Sequence, residues 1–247
     1  MKSISLEITD ICNEKCIHCY HPEHKKKGHI KDLNLLDRML AEFGELEFIS
    51  VTITGGEPLL HPEFKEICKL TQKNRYLISV KTNGTLINDA LVEFFKELKP
   101  HTVEVSLYSA DQQEHDLITQ IPGSFDKSMN GLKKLKKAGV KCSVMTPVLR
   151  GVKHWKDLLK LMTELNIPWG CGKNIFSSFD ERIEVEQFKG DENHYLDFFE
   201  FINTHESQLI ENVEDRCFGA CGAGTTTVCV APDYSVRACI SYPDSAG

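Results

Sequence analysis

Three cysteines, Cys12, Cys16 and Cys19, stand in C-x3-C-x2-C spacing directly after a β-branched run over residues 4–9. One short loop can therefore wrap three thiolates around a single metal centre. A four-iron four-sulfur cluster usually takes four cysteines, so three leave one iron open. An open metal position can bind substrate or cofactor, whereas a closed one is generally structural or electron-transferring. The same spacing also suits a zinc site completed by His18 or His21, or three thiols that hold no metal.

A second loop, Gly55-Gly56-Glu57-Pro58, follows another β-branched run over residues 48–54. Its glycines permit close backbone approach, and its carboxylate can receive an ammonium group. On its own it also reads as a strand-to-helix turn with Pro58 at or before the helix start. Four more cysteines, Cys217, Cys221, Cys229 and Cys239, cluster near the end of the chain. There residues 225–230, the turn Pro232-Asp233-Tyr234-Ser235 and residues 236–239 read as a small hairpin, which brings distant thiols to one end. Cys229, flanked by Val228 and Val230, reads equally well as a small hydrophobe in a strand. Cys68 and Cys142 fall on apolar faces and read as core.

These groups need a scaffold, and the periodicity supplies one. Strand-like runs over residues 4–9, 48–54, 77–82, 102–107, 140–148 and 167–176 alternate with amphipathic helical patterns, the last carrying Tyr195, Leu196, Phe199 and Ile202. Six repeats of strand then helix imply a parallel sheet. Such a sheet carries its site at the carboxyl ends of the strands, where the cysteine loop and the Gly-Gly-Glu-Pro loop both fall. The expected division is residues 1–210 for this α/β unit and 211–247 for a cysteine-rich segment.

Composition narrows the setting. A net charge of -7 over 247 residues gives no basic excess for a polyanion, which disfavours nucleic acid. Residues 1–7 lack the apolar stretch of a signal peptide, and no run is long enough to span a membrane. Ten cysteines in such a chain are too few for a disulfide scaffold. In a reducing cytoplasm, clustered thiols are metal ligands or catalytic groups more often than bridges.

Taken in order, Cys12, Cys16 and Cys19 with His18 before the last of them, then Gly55-Gly56-Glu57-Pro58, resemble the radical S-adenosylmethionine (radical SAM) superfamily. Thr82-Asn83-Gly84, Ser106 and the stretch from His115-Asp116 to Phe125 continue the likeness, which covers about residues 3–176. The resemblance implies a partial (β/α)6 barrel with a [4Fe-4S] cluster on the three cysteines. SAM would chelate the open iron, and residues 55–57 would steady its amino end. Pro58 would complete that loop, His18 would lie near adenine, and Asn83 and Ser106 would contact ribose or carboxylate. Reductive cleavage of SAM would give a 5′-deoxyadenosyl radical that removes a substrate hydrogen.

The hairpin resembles the opening of the SPASM and twitch extensions, which hold auxiliary [4Fe-4S] clusters, with Cys221 and Cys239 as ligands and Cys217 and Cys229 as further candidates. Two departures stand out. Tyr234 replaces a turn glycine, and the further downstream cysteines of the extension are missing by Gly247, as in a truncated chain. The resemblance further implies an oxidoreductase acting on a ribosomally made peptide, fed electrons by a flavodoxin or ferredoxin, with any leader-binding domain on a separate protein. Competing readings are an α-carbon epimerase in which Cys171 or another thiol returns the hydrogen atom, a dehydrogenase of a small molecule or protein, and a non-catalytic zinc or iron-sulfur module. Cys171 also reads as a buried core thiol.

Overall fold

Alternate residues of each central strand fall into two chemically different sets. Ile4, Leu6 and Ile8, Val51 and Ile53, Ile78 and Val80, Val103 and Val105, Val144 and Trp169 are buried in one apolar core with Leu36, Ile67, Phe95, Leu132 and Leu158 of the helices. The intervening Ser5 and Glu7, Thr52 and Thr54, Ser79 and Lys81, Glu104 and Ser106, and Ser143 are polar, and strand register aligns them across neighbours. Successive side chains of a strand point to opposite faces, so the sheet has one face under helices and one polar face. A parallel sheet covered by helices on both faces would read as continuous apolar runs. The alternation therefore marks the second face as the inside of a barrel that is not closed.

The computed structural model describes residues 2–21, 28–172, 185–204 and 222–240. In chain order these form β1 (Lys2–Thr9), α1 (Leu33–Glu45), β2 (Phe48–Gly55), α2 (Phe64–Lys73), β3 (Leu77–Thr82), α3 (Asp89–Leu98), β4 (Thr102–Ser106), α4 (Gln112–Thr119), α5 (Ser124–Lys137), β5 (Cys142–Pro147), α6 (Trp155–Glu164), β6 (Trp169–Gly172), α7 (Glu192–Thr204), β7 (Thr227–Val230) and β8 (Val236–Arg237). The sheet runs β6-β5-β4-β3-β2-β1-β7-β8, with β6 and β8 at its edges among the described residues. All neighbours are parallel except β7 and β8. No helix among the described residues is long and apolar enough to cross a membrane.

The helices start where their caps dictate. Asp32 accepts hydrogen bonds from the N–H groups of Asn34 and Leu35 at the head of α1, and Asn88 accepts from Leu91 at the head of α3. One helix, α4, was not among the expected elements. It is short and polar, but Asp111 caps it through the N–H of Glu114, the cap-then-glutamate spacing of a capping box. The C-terminal hairpin forms as expected and joins the same sheet, because β7 pairs in parallel with β1 from Ser3↔Thr227 to Leu6↔Val230. Of the sixth expected strand, residues 169–172 are described as β6, and 173–176 lie outside the described residues.

Candidate active site

The cysteine loop leaves β1 at Thr9 and is fastened by its own backbone. Gly56 N–H donates to Thr9 O (2.7 Å) and Glu57 N–H to Ile11 O (2.8 Å), so the loop after β2 lies flat against it. This approach needs glycine. A Cβ on Gly55, whose φ is +140°, would stand 2.1 Å from Thr9 O, and one on Gly56 would stand 2.4 Å from Ile11 O. On the other side, Lys15 N–H donates to Thr119 O (3.0 Å) and Ile17 N–H to Ile118 O (2.9 Å), so the last turn of α4 grips both flanks of Cys16.

Glu57 corrects one expectation. Its carboxylate, placed by the sequence at the amino end of SAM, is fully buried. One oxygen accepts from Thr82 Oγ1 (2.7 Å) and Leu59 N–H (3.0 Å), and the other from Asn83 N–H (2.7 Å). A buried carboxylate must be satisfied by donors, and these donors all belong to the protein. Glu57 therefore ties the β2 loop to the β3 loop. Burial pushes its carboxyl up to about 7 in spite of these hydrogen bonds. Pro58, also buried, opens the short turn over Pro58–Leu60 that follows.

Asn83 extends the same bracing. Its Nδ2 donates to Asn13 Oδ1 (2.9 Å), and Asn13 Nδ2 donates to Thr85 Oγ1 (2.9 Å), which fastens the β3 loop to the cysteine loop. Ser106, the last residue of β4, is half-buried on the polar face, in register with Met145.

The three thiols stand close enough to affect one another. Burial pushes Cys12 up to about 12, with the charges of Glu57, Glu14 and Cys19 adding to it. Burial also raises Cys16 well above 9, helped by Glu14, Cys19 and Cys12. The protein alone thus keeps Cys12 and Cys16 protonated, and a cationic metal centre is what would hold them as thiolates. Buried polar atoms nearby lack a hydrogen-bond partner: Glu14 Oε1, His18 Nδ1 and His115 Nε2. Burial lowers His18 to about 4, so its ring is neutral. Among the described residues, no three or more His, Cys, Asp or Glu side chains gather tightly enough for one metal ion. A mononuclear zinc site needs that convergence, whereas each thiol of a four-iron cluster takes a different corner. The donor set and the orphaned polar atoms fit a cluster.

Cys171 corrects a second expectation. In β6 it is in register with Thr146, two residues beyond the Val144–Trp169 pair. It therefore shares the face of Trp169, whose indole N–H donates to Thr163 Oγ1 on α6 and whose ring meets Phe201 on α7. That is the helix-covered face, and Cys171 is buried there. Its thiol is turned away from the polar face, so it cannot return a hydrogen atom to a substrate held there.

The hairpin brings its own polar cluster to β1. Cys229, opposite Ser5 on the polar face, is fully buried and accepts a hydrogen bond from Arg237 Nη2 (3.4 Å). Arg237 forms a buried ion pair with Glu7, and Tyr20 Oη (3.5 Å) and His21 Nε2 (3.3 Å) reach the other Glu7 oxygen. Burial would raise Glu7, but His21 and Arg237 outweigh it and hold the carboxyl low. Cys239, half-buried just after β8, is close enough to raise the Cys229 thiol, which burial already pushes up. Cys217 and Cys221 lie outside the described residues. Tyr234 adopts a φ of +67°, the left-handed conformation that disfavours a bulky residue. Its hydroxyl compensates by accepting from the N–H groups of Lys31 (3.1 Å) and Asp32 and donating to Asp32 O (3.1 Å), which anchors the turn to the head of α1.

Comparison with known proteins agrees with this geometry. The subtilosin biosynthesis protein AlbA of Bacillus subtilis is 28% identical over 97% of this chain and 55% of its own length. A probable GTP 3',8-cyclase of Methanocella arvoryzae is 30% identical over 80% of this chain and 61% of its own. The chain thus spans little more than half the length of these relatives. Among solved structures, Streptococcus suis SuiB bound to its precursor peptide SuiA superposes with a TM-score of 0.78 at 18% identity, covering 97% of this chain and 59% of that one. The protein anSMEcpe, with AdoMet and a peptide bound, superposes at 0.76 and 21% identity, covering 98% and 75%. The model of the radical SAM superfamily matches residues 6–165, from β1 to the end of α6. With the cysteine loop and the paired glycines at the ends of the first two strands of that span, the chain belongs to the radical SAM superfamily.

Proposed function

We propose that this chain holds a [4Fe-4S] cluster through Cys12, Cys16 and Cys19 and modifies a peptide by removing hydrogen from it. The observation that carries the reading is the fit of the Gly55–Gly56 turn against the backbone of the cysteine loop. It puts three thiols and a second, glycine-lined loop at one end of the polar face. Cys12, Cys16 and Cys19 would hold a cluster that, once reduced by an external electron donor, would supply the one electron needed for reductive cleavage of bound SAM. The chain's own residues do the positioning. Gly55 and Gly56 leave backbone room for the amino end of SAM, and Glu57 and Asn83 hold that room open from behind. His18 presents a neutral ring for adenine, and Ser106 offers a hydroxyl at the mouth of β4.

Peptide modification is favoured over a small-molecule substrate because AlbA, which spans nearly the whole chain, takes part in bacteriocin biosynthesis. SuiB and anSMEcpe also carry bound peptides on the same fold. We assign the chain to the oxidoreductases, in the cytoplasm, with a flavodoxin or ferredoxin as electron donor. Cys239 and Cys229, with Cys221 and Cys217, are the candidates for an auxiliary [4Fe-4S] cluster. With Cys171 turned to the helix-covered face, an epimerase would need another thiol to return the hydrogen atom.

Anaerobically reconstituted protein given SAM and dithionite should release 5′-deoxyadenosine, and Cys12→Ala, Cys16→Ala and Cys19→Ala should each abolish it. Iron-loaded wild type that releases none sinks the reading. With a peptide substrate, oxidation or crosslinking appears as the loss of two hydrogens from its mass.

A further inference from the structure

We infer that the hydroxyl of Tyr108 donates a hydrogen bond to the sulfur of Cys16 and thereby sets the reduction potential of the metal centre on the cysteine loop. The inference rests on the three-thiol site proposed above.

Tyr108 lies two residues beyond β4 and is 7% exposed. Its Oη stands 3.8 Å from Cys16 Sγ, within reach of an O–H···S bond. A ligating sulfur carries no proton, so of these two atoms only the phenol can donate. The ring is clamped for that contact. Tyr108 N–H donates to His115 Nδ1 (3.3 Å), the His115 ring stacks on it at 5.3 Å and 28°, and His18 meets it edge-on at 4.8 Å. His115 sits on α4, the same helix whose Ile118 and Thr119 carbonyls hold the two flanks of Cys16. One element therefore fixes both partners of the contact. Packing alone would be served by phenylalanine.

One added electron increases the negative charge on the cluster and its sulfurs, so a donor to sulfur stabilises the reduced state more than the oxidised one. Glu14 Oε2 also lies 3.6 Å from Cys16 Sγ, and the test leaves it untouched.

The full chain, reconstituted anaerobically, is titrated with dithionite in the absence of SAM and peptide while paramagnetic resonance follows the reduced cluster. Tyr108→Phe keeps the ring and removes only the hydroxyl. Iron and sulfide content should be unchanged, and the ratio of reduced to oxidised cluster at a fixed potential should fall about tenfold, a midpoint about 59 mV more negative. An unchanged midpoint overturns the inference. Should the variant lose its iron, 3-fluorotyrosine at position 108, a stronger donor of nearly the same shape, decides the matter. A raised midpoint supports the hydroxyl's role and an unchanged one sinks it. Wild type without acid-labile sulfide sinks the three-thiol reading and this inference together, whereas an unmoved midpoint sinks only the role of Tyr108.

Discussion

The cysteine loop and the C-terminal hairpin both bring thiols to β1, but they are held there by different means. The cysteine loop is fastened mainly by backbone: main-chain hydrogen bonds join Thr9 and Ile11 to the β2 loop, and Lys15 and Ile17 to the end of α4, with the Asn13 side chain adding its links to Asn83 and Thr85. The hairpin has one short parallel ladder on β1 and then depends on side chains, Arg237 to Glu7 and Tyr234 to the head of α1. Backbone fastening tolerates most side chains and forbids a few positions outright. Side-chain fastening concentrates the attachment in two or three residues.

Substitutions at the two sites should separate these modes, most strongly at the glycines. Gly55→Ala combines a backbone clash with a forced positive φ, and it should cost about 4 kcal/mol or more in urea unfolding. A cost under about 1 kcal/mol would mean that the two loops are not pressed together. Next, Arg237→Met takes the buried ion pair from Glu7, leaving it Tyr20 and His21, and should cost about 3 kcal/mol. Glu7 is held low in the fold, so its share of stability is present above 4.5 and lost as pH falls. That acid loss should shrink in Arg237→Met, and an identical acid limb would show that Arg237 and Glu7 do not interact.

Glu57→Gln turns a donor toward the N–H of Asn83 and should cost about 1–3 kcal/mol. Because burial raises Glu57 from 4.5 to about 7, the folded chain holds a proton between those values that the unfolded chain has released. Stability therefore falls as pH rises through that window, and calorimetry of Glu57→Gln should show a flatter profile. Smallest of all, Tyr234→Phe removes the hydroxyl anchor while keeping the strained backbone, for about 1 kcal/mol. A stabilised Tyr234→Phe would show the anchor to be incidental.

The same contrast explains what could be read from the sequence. The strands were legible because alternation is a local pattern, and Cys12 to Cys19 with Gly55-Gly56 were legible because their holding is done by neighbouring backbone. The direction of Glu57 was not, since it depends on Thr82 and Asn83, which arrive from another loop. Cys171 was read by its distance along the strand, when its face was set by pairing with Thr146. Helix α4 was missed because its composition is polar, although Asp111 and Glu114 carried its start signal. Tyr108 showed no sequence signal at all. Its importance comes from meeting Cys16 across 92 positions of chain.

The pairing of β7 with β1 also governs how the molecule is assembled in time. During synthesis β1 can find β2 within a short stretch of chain, and residues 28–30 soon pair with its Ile8–Asp10 end, yet among the described residues the partner of Ser3–Leu6 on the other edge is the distant 227–230. Contacts of such sequence separation are slow to form, because loop closure precedes any gain from the pairing. For that interval the Ser3–Leu6 edge stands open, a template for pairing with another chain. Strand β7 is thus also the cover that ends that hazardous stage of folding.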